Sequence, residues 1–398
     1  PVQVDLSRRR WYIVAGLALT LLLLGTFDAP QRRVLQVEKV PDLLRFLSLG
    51  DFGVARCARN GEHAKCSEQS QKLVAKSLDI ATKEFQPKFL LSLGDNFYPY
   101  GAASLEDDQF RFSYEQMYNL PHIRTMPWMI SIGDHDHCGN ISSMLAYGKG
   151  LRREGWSEEE GGVKIPPRDT YGLPEQYYHK VYRLSGGQLF HLIVTDSVLL
   201  EGSLANPGER RFEKRLTPAH SGPSASRKHW AWLETALQDA NAGTEPRLIL
   251  VVGHRPVFSA VNRGRTISEE RVSRRLHSLF SEFGVNAYIN GHDHAMQHLS
   301  KDGVQYFGNG VGGFDLHPID KKRMWPNDGE ELRWASNSRH GFALHDVGPE
   351  GMRIRFAQVT ESAEVAAPDD KGITSEVGYT IVYDTFVPFR HRSEYVRR

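Results

Sequence analysis

Five short blocks recur in fixed order along the chain: Gly50-Asp51-Phe52-Gly53, Gly94-Asp95-Asn96-Phe97-Tyr98, Gly133-Asp134-His135-Asp136-His137, Gly253-His254-Arg255-Pro256 and Gly291-His292-Asp293-His294. They supply carboxylates, imidazoles and a phenol. Aspartate is a hard anionic ligand for iron, manganese or zinc, and neutral imidazole suits the softer end of that range. The candidate metal ligands are Asp51, Asp95, Tyr98, Asp134, His254, His292 and His294. Two ions held close together need a bridging group. Asp51 or Asp95 can serve, and Asp95 is favoured because Tyr98 follows in the same block and can reach the same ion. A phenolate favours a trivalent, strongly acidic metal, which points to Fe(III) beside a second, divalent ion (Fe, Zn or Mn). Asp134 is placed to ligate and His135 to face the substrate. This donor set implies a metal-dependent hydrolase.

Such residues converge only if the elements before them end at one place. Each block follows an apolar run that reads as a buried strand: residues 46–49, 89–93, 128–132, 248–252 and 287–289. Residues 67–85 read as a helix, with Leu73, Val74, Leu78, Ala81 and Phe85 on one face, and residues 227–240 as another, with Trp230, Leu233 and Leu237 inward. Ser185-Gly186-Gly187 separates two β-rich runs, 177–184 and 189–195, as in a hairpin. Strands alternating with helices indicate an α/β fold. The strand-rich C-terminal part, with runs at 304–307, 342–347, 352–358 and 379–383, is expected to complete a second, mainly antiparallel sheet. In His292-x-His294 both rings would share a strand face, so serving two ions requires the chain to turn out of the strand at Gly291. Asp136 and Asp293 read as positioning groups rather than ligands. His63, His122, His179, His191, His229, His298, His317 and His340 belong to no motif and read as ordinary core or surface histidines.

The chain has 398 residues, 40% hydrophobic and 24% charged, enough for a large core. A formal charge of +1 provides no general attraction to nucleic acid or anionic membranes, so attraction for an anionic substrate must be local. Arg8, Arg9 and Arg10 precede an uncharged apolar run over residues 11–27, the pattern of a secretory-pathway signal peptide or signal anchor within residues 1–30. The run could cross ~27 Å of hydrocarbon as a helix with the arginines cytoplasmic. The protein is therefore expected to be membrane-anchored facing the lumen or exterior, or secreted or lysosomal if the segment is cleaved. Cys57 and Cys66 flank a polar loop and could form a local disulfide, Cys138 is the odd thiol, and Asn140-Ile141-Ser142 is a glycosylation sequon. The catalytic domain is placed at residues 45–386, with loop inserts at 149–174 and 361–377 and a basic tail at 387–398.

The blocks resemble the metallophosphoesterase superfamily, and specifically the small, tartrate-resistant type of purple acid phosphatase. Leu91-Ser92-Leu93-Gly94-Asp95-Asn96-Phe97-Tyr98 and His135-Asp136-His137, followed by Gly139-Asn140, carry the resemblance most strongly. It implies a four-layer αββα sandwich of two mixed β-sheets flanked by helices, with the binuclear site at the strand ends. It places Asp51, Tyr98 and His294 on the ferric ion, Asp95 as the bridge, and Asp134, His254 and His292 on the divalent ion. The implied reaction is hydrolysis of phosphate monoesters by in-line attack of a metal-bound hydroxide, with His135 assisting the leaving group or holding the phosphate. A phosphodiesterase or nucleotide hydrolase could use the same centre, and a membrane-tethered binding protein with weakened catalysis is a third reading. Three positions depart from the pattern. Asp134 replaces an asparagine, Phe52 a tryptophan, and Arg255 an aromatic. With both ions, one hydroxide and a neutral residue at 134, the site keeps one net positive charge; an ionised Asp134 cancels it. Arg255 could restore that charge near the substrate, or point to solvent or pair with an acidic neighbour.

Overall fold

In the computed structural model, the strand Arg247–Val252 shows how the layers arise. Leu248, Leu250 and Val252 turn to one core cluster while Ile249 and Val251 turn to another, all fully buried. Successive side chains point to opposite faces, so a strand apolar on both faces must lie between two packed layers.

The structure describes residues 36–61, 66–151, 170–202, 221–261, 263, 265–322, 324–363 and 375–390. The targeting segment, the apolar run 11–27, His63, most of the 149–174 insert and the end of the tail lie outside them. Among the described residues, no helix is long and apolar enough to cross a membrane.

The strands are numbered β1 (Val37–Lys39), β2 (Leu44–Leu49), β3 (Phe89–Ser92), β4 (Trp128–Met129), β5 (Tyr171–Gly172), β6 (Tyr178–Arg183), β7 (Leu189–Val194), β8 (Arg247–Val252), β9 (Ala287–Asn290), β10 (Met296–Lys301), β11 (Val304–Asn309), β12 (Glu331–Ser336), β13 (Gly341–Gly348), β14 (Gly351–Ala363) and β15 (Ser375–Pro388). They form an eight-stranded sheet, β1-β6-β7-β8-β9-β11-β10-β12, and a seven-stranded sheet, β15-β14-β13-β2-β3-β4-β5. Both are mixed: β7, β8, β9 and β11 run parallel, as do β2 through β5, with antiparallel strands outside them. The sheets face each other, with Phe46 of one stacked on Phe190 of the other at 6.0 Å.

The helices are α1 (Ala55–Asn60), α2 (Glu68–Phe85), α3 (Asp134–His137), α4 (Ile141–Gly148), α5 (Ser197–Leu200), α6 (Gly222–Ala240) and α7 (Ile267–Glu282). Trp230, Leu233 and Leu237 of α6 and Leu276 and Phe280 of α7 cover the outer face of the eight-stranded sheet. Val74 and Leu78 of α2 join the core of the other sheet. The result is the expected αββα sandwich.

Several boundaries differ from expectation. Residues 304–307 belong to β11 in the first sheet, not to the second, because β11 pairs in parallel with β9. The insert 149–174 ends in β5, which extends the parallel edge beside β4. Strand β15 reaches Pro388, and Arg390 forms a bridge with Arg247, so the tail begins later than residue 387. The α7 helix adds to the elements expected from the sequence, and Thr266 and Glu269 form a reciprocal capping box at its start. Cys57 and Cys66 are disulfide-bonded, and Cys138 is a buried thiol donating to the carbonyl of Asp134.

Candidate metal centre

The C-terminal ends of β2, β3 and β4 in one sheet and of β8 and β9 in the other open toward the same point, and each is followed by one of the five blocks. In parallel sheets this is where ligands bind. Chain direction reverses sharply there: Asp51, Asp95 and His292 adopt left-handed backbone conformations, with φ of 61°, 52° and 65°. For non-glycine residues these cost on the order of 1 kcal/mol each, and Asp and His tolerate them better than most. Gly94, at φ 90°, lies so close to the His254 ring and the Gly133 backbone that a Cβ would collide with both. A Cβ on Gly291 would strike the Asp51 carboxylate and the Leu93 carbonyl. These two glycines let the blocks close to bonding distance.

All seven candidate ligands are buried and meet in two half-cages. In the first, the Tyr98 hydroxyl lies 3.0 Å from Asp51 Oδ1, 2.8 Å from Asp95 Oδ2 and 3.4 Å from His294 Nε2. His294 Nε2 is also 3.1 Å from Asp51 Oδ1. In the second, Asp134 Oδ1 lies 2.9 Å from His254 Nε2 and 2.7 Å from His292 Nδ1, while Asp95 Oδ1 is 3.3 Å from His254 Nε2. Asp95 therefore turns one oxygen to each half. The turn at Gly291 separates His292 from His294, as their service to two halves demands, because β9 ends at Asn290 and β10 starts at Met296.

Groups around the cage set its tautomers. His254 Nδ1 donates to the Leu93 carbonyl at 2.8 Å, and His294 Nδ1 donates to the Asp315 carbonyl. A carbonyl can only accept, so each ring turns Nε2 into the cage. Asp136 accepts from the backbone N–H groups of Asn96, Phe97 and Gly133 and from the Asn96 amide, binding the second block to the third. Asp293 pairs with Arg265 and accepts from Ser259. Both aspartates thus position the chain. His135, partly exposed, donates from Nδ1 to the Pro99 carbonyl at 2.6 Å and packs on Tyr98 at 4.4 Å.

The electrostatics calls for cations. Three buried carboxylates crowd together, and burying charge without compensation is costly. Burial together with the charges of Asp51 and Asp95 drives the Tyr98 hydroxyl well above its ordinary pKa. Burial opposes the charge on Asp134, but His292 and His254 outweigh it and hold that carboxyl well below the usual range. The Asp95 carboxyl is lowered in the same way, burial being outweighed chiefly by His254. Carboxylate, phenol and ring-nitrogen donors meeting in two groups around a shared aspartate fit a pair of ions.

Three residues near the cage had no motif to mark them. His317 stacks on the His294 ring at 3.9 Å and receives the His294 backbone N–H at 3.1 Å, so it is not an ordinary surface histidine. Ser197 accepts from the backbone N–H groups of His254 and Arg255 at 2.9 and 2.8 Å. Arg263 reaches the outer nitrogen of His292. The alternatives for Arg255 resolve toward pairing with acidic neighbours, since its guanidinium contacts Glu201 and Glu269.

Two face-to-face mixed sheets with this donor set at their strand ends define a dimetal phosphoester hydrolase. The chain belongs to the calcineurin-like phosphoesterase family, which matches residues 44–296. Rabbit (Oryctolagus cuniculus) tartrate-resistant acid phosphatase type 5 is 29% identical over 330 residues, covering 81% of this chain and 90% of the relative. Purple acid phosphatase 7 of Arabidopsis thaliana is 25% identical over 322 residues, covering 81% and 85%. A solved structure described as "GAP50 the anchor in the inner membrane complex of Plasmodium" shares the fold, with a TM-score of 0.62 and 21% identity over 89% of this chain and 92% of that one.

Proposed function

We propose that this chain is an acid phosphatase that hydrolyses phosphate monoesters, with Fe(III) held by Asp51, Tyr98, His294 and Asp95 and a divalent Fe, Zn or Mn held by Asp95, Asp134, His254 and His292. The observation that carries the reading is Asp95, whose two oxygens face the two half-cages while Tyr98 brings its phenol to one of them. A phenolate donor favours the trivalent ion on that side. The chemistry such ions supply is Lewis acidity toward phosphate oxygens and acidification of water. The chain's own work is to hold these donors in place and to offer His135, whose ring is oriented by the Pro99 carbonyl and whose Nε2 would donate to the leaving alkoxide. The two acid phosphatases described above support the monoester as substrate.

The proposed secretory location rests on Arg8, Arg9, Arg10 and the apolar run 11–27, with the Cys57–Cys66 disulfide as support, since disulfides persist in oxidising compartments. Purified protein should absorb visible light and cleave para-nitrophenyl phosphate at acidic pH. Colourless protein without turnover in iron, manganese or zinc would overturn the proposal.

A further inference from the structure

Asp134 follows a strand of one sheet and His254 a strand of the other, yet Asp134 Oδ1 stands 2.9 Å from His254 Nε2. Something must fix that spacing. Asp136 binds the third block to the second, but both blocks follow strands of the same sheet. A link across the sheets lies at the corner where β7 runs into α5. There Asp196 Oδ2 accepts from His137 Nε2 at 2.7 Å and from Gln176 Nε2 at 2.8 Å, while its Oδ1 accepts from the Leu199 backbone N–H at 2.8 Å. The next residue, Ser197, holds the backbone N–H groups of His254 and Arg255. The residue before, Thr195, donates its hydroxyl to the Val252 carbonyl at 2.8 Å, and its own carbonyl receives the Ser131 hydroxyl at 3.4 Å. Three consecutive buried residues thus join the third block to the fourth.

We infer that Asp196 and Ser197 are positioning residues that set the divalent half of the centre, Asp196 through His137 and Ser197 through the His254 backbone. This rests on the binuclear reading above. His137 closes the short helix α3 that Asp134 opens, with His135 between them, so a shift of His137 carries both. His137 Nδ1 is buried and has no hydrogen-bond partner among the described residues, so Asp196 is the anchor of that ring. The ferric half is held by other groups: His294 by the Asp315 carbonyl and by His317, Tyr98 by its stack on Phe314 at 4.2 Å. Loosening the corner therefore releases the divalent ion before the trivalent one.

The test uses the full chain loaded with iron and zinc. Zinc affinity is read by competition with a chromogenic chelator, and the ferric half by its visible absorption. His137→Phe keeps a ring at the position and removes the bond to Asp196; zinc affinity should fall ~10-fold or more while the visible band persists. Ser197→Ala removes one buried hydroxyl and should also weaken zinc by a factor of ~10, again with the band retained. Unchanged zinc affinity in a folded variant overturns the role of the residue it probes. Loss of the band together with zinc shows a general loosening of the sandwich and overturns the inference as well. If the parent takes up neither ion, the binuclear reading itself fails and takes the inference with it. Thermal unfolding identifies a variant that has lost its fold, and if His137→Phe is one, Ser197→Ala decides.

Discussion

His345 lies between the two sheets, fully buried and stacked on Phe46 at 4.3 Å, with Nε2 bonded to Ser48 Oγ at 2.8 Å. Burial, with a smaller contribution from Arg355, lowers its pKa to about 3 from an ordinary value of 6.5. Between those values the unfolded chain binds a proton that the folded chain refuses, so stability falls as pH drops from about 6.5 toward 3. At pH 5 the loss from this ring is about 2 kcal/mol, at ~1.4 kcal/mol per pH unit below 6.5. His345→Phe keeps the stack but leaves the Ser48 hydroxyl without this partner, costing ~1 kcal/mol at pH 7.5. The variant should therefore be the less stable protein at pH 7.5 and the more stable by ~1 kcal/mol at pH 5. Urea unfolding of both proteins at the two pH values, followed by far-ultraviolet circular dichroism, reads the crossing directly. A stability difference that is the same at both pH values would refute the reasoning. His179, His191, His229 and His298 are lowered by burial in the same direction, so an enzyme working in acid does so against a buried set of neutral imidazoles.

Asp134→Asn should tighten inhibition by inorganic phosphate, measured as a lower inhibition constant against para-nitrophenyl phosphate; an unchanged constant would remove the charge argument. Tyr98→Phe should abolish the visible absorption, while its ring keeps the stack on Phe314 at 4.2 Å and thermal unfolding changes little. A persistent visible band would show that the phenol is not the ferric ligand. His135→Ala should lower kcat by ~10²-fold or more with metal content intact, as measured by elemental analysis. Loss of metal instead would mean that His135 holds the cage rather than serving the leaving group.

Much of the site was readable because its residues come in clusters at strand ends, where chemistry and backbone signals reinforce each other. Gly94, Asp95 and Tyr98 sit in one block, so a glycine, a bridge and a phenol could be seen together. Arg263 and His317 stand alone in polar segments, and their roles arise from contacts with His292 and His294 that no local spacing encodes. The same limit explains β11. An apolar run identifies a strand, but whether it joins β9 or β13 depends on the crossover that precedes it. Helix α7 is legible in principle, since Leu276, Leu279 and Phe280 have helical spacing and Thr266 caps the helix. The Arg255 partners Glu201 and Glu269 were not legible, since neither carries a motif.

The donor atoms come from both sheets: Asp51, Asp95 and Asp134 follow strands of one, and His254, His292 and His294 follow strands of the other. The cage cannot exist in either half of the sandwich alone. Metal loading must therefore wait until residue 294 has been synthesised and both sheets have docked, which makes it a late event in maturation. An ion bound there ties the sheets together like a rivet, and its binding free energy adds to the stability of the whole sandwich. Chelation should accordingly lower the resistance of the protein to unfolding, at positions far from the site as well as beside it.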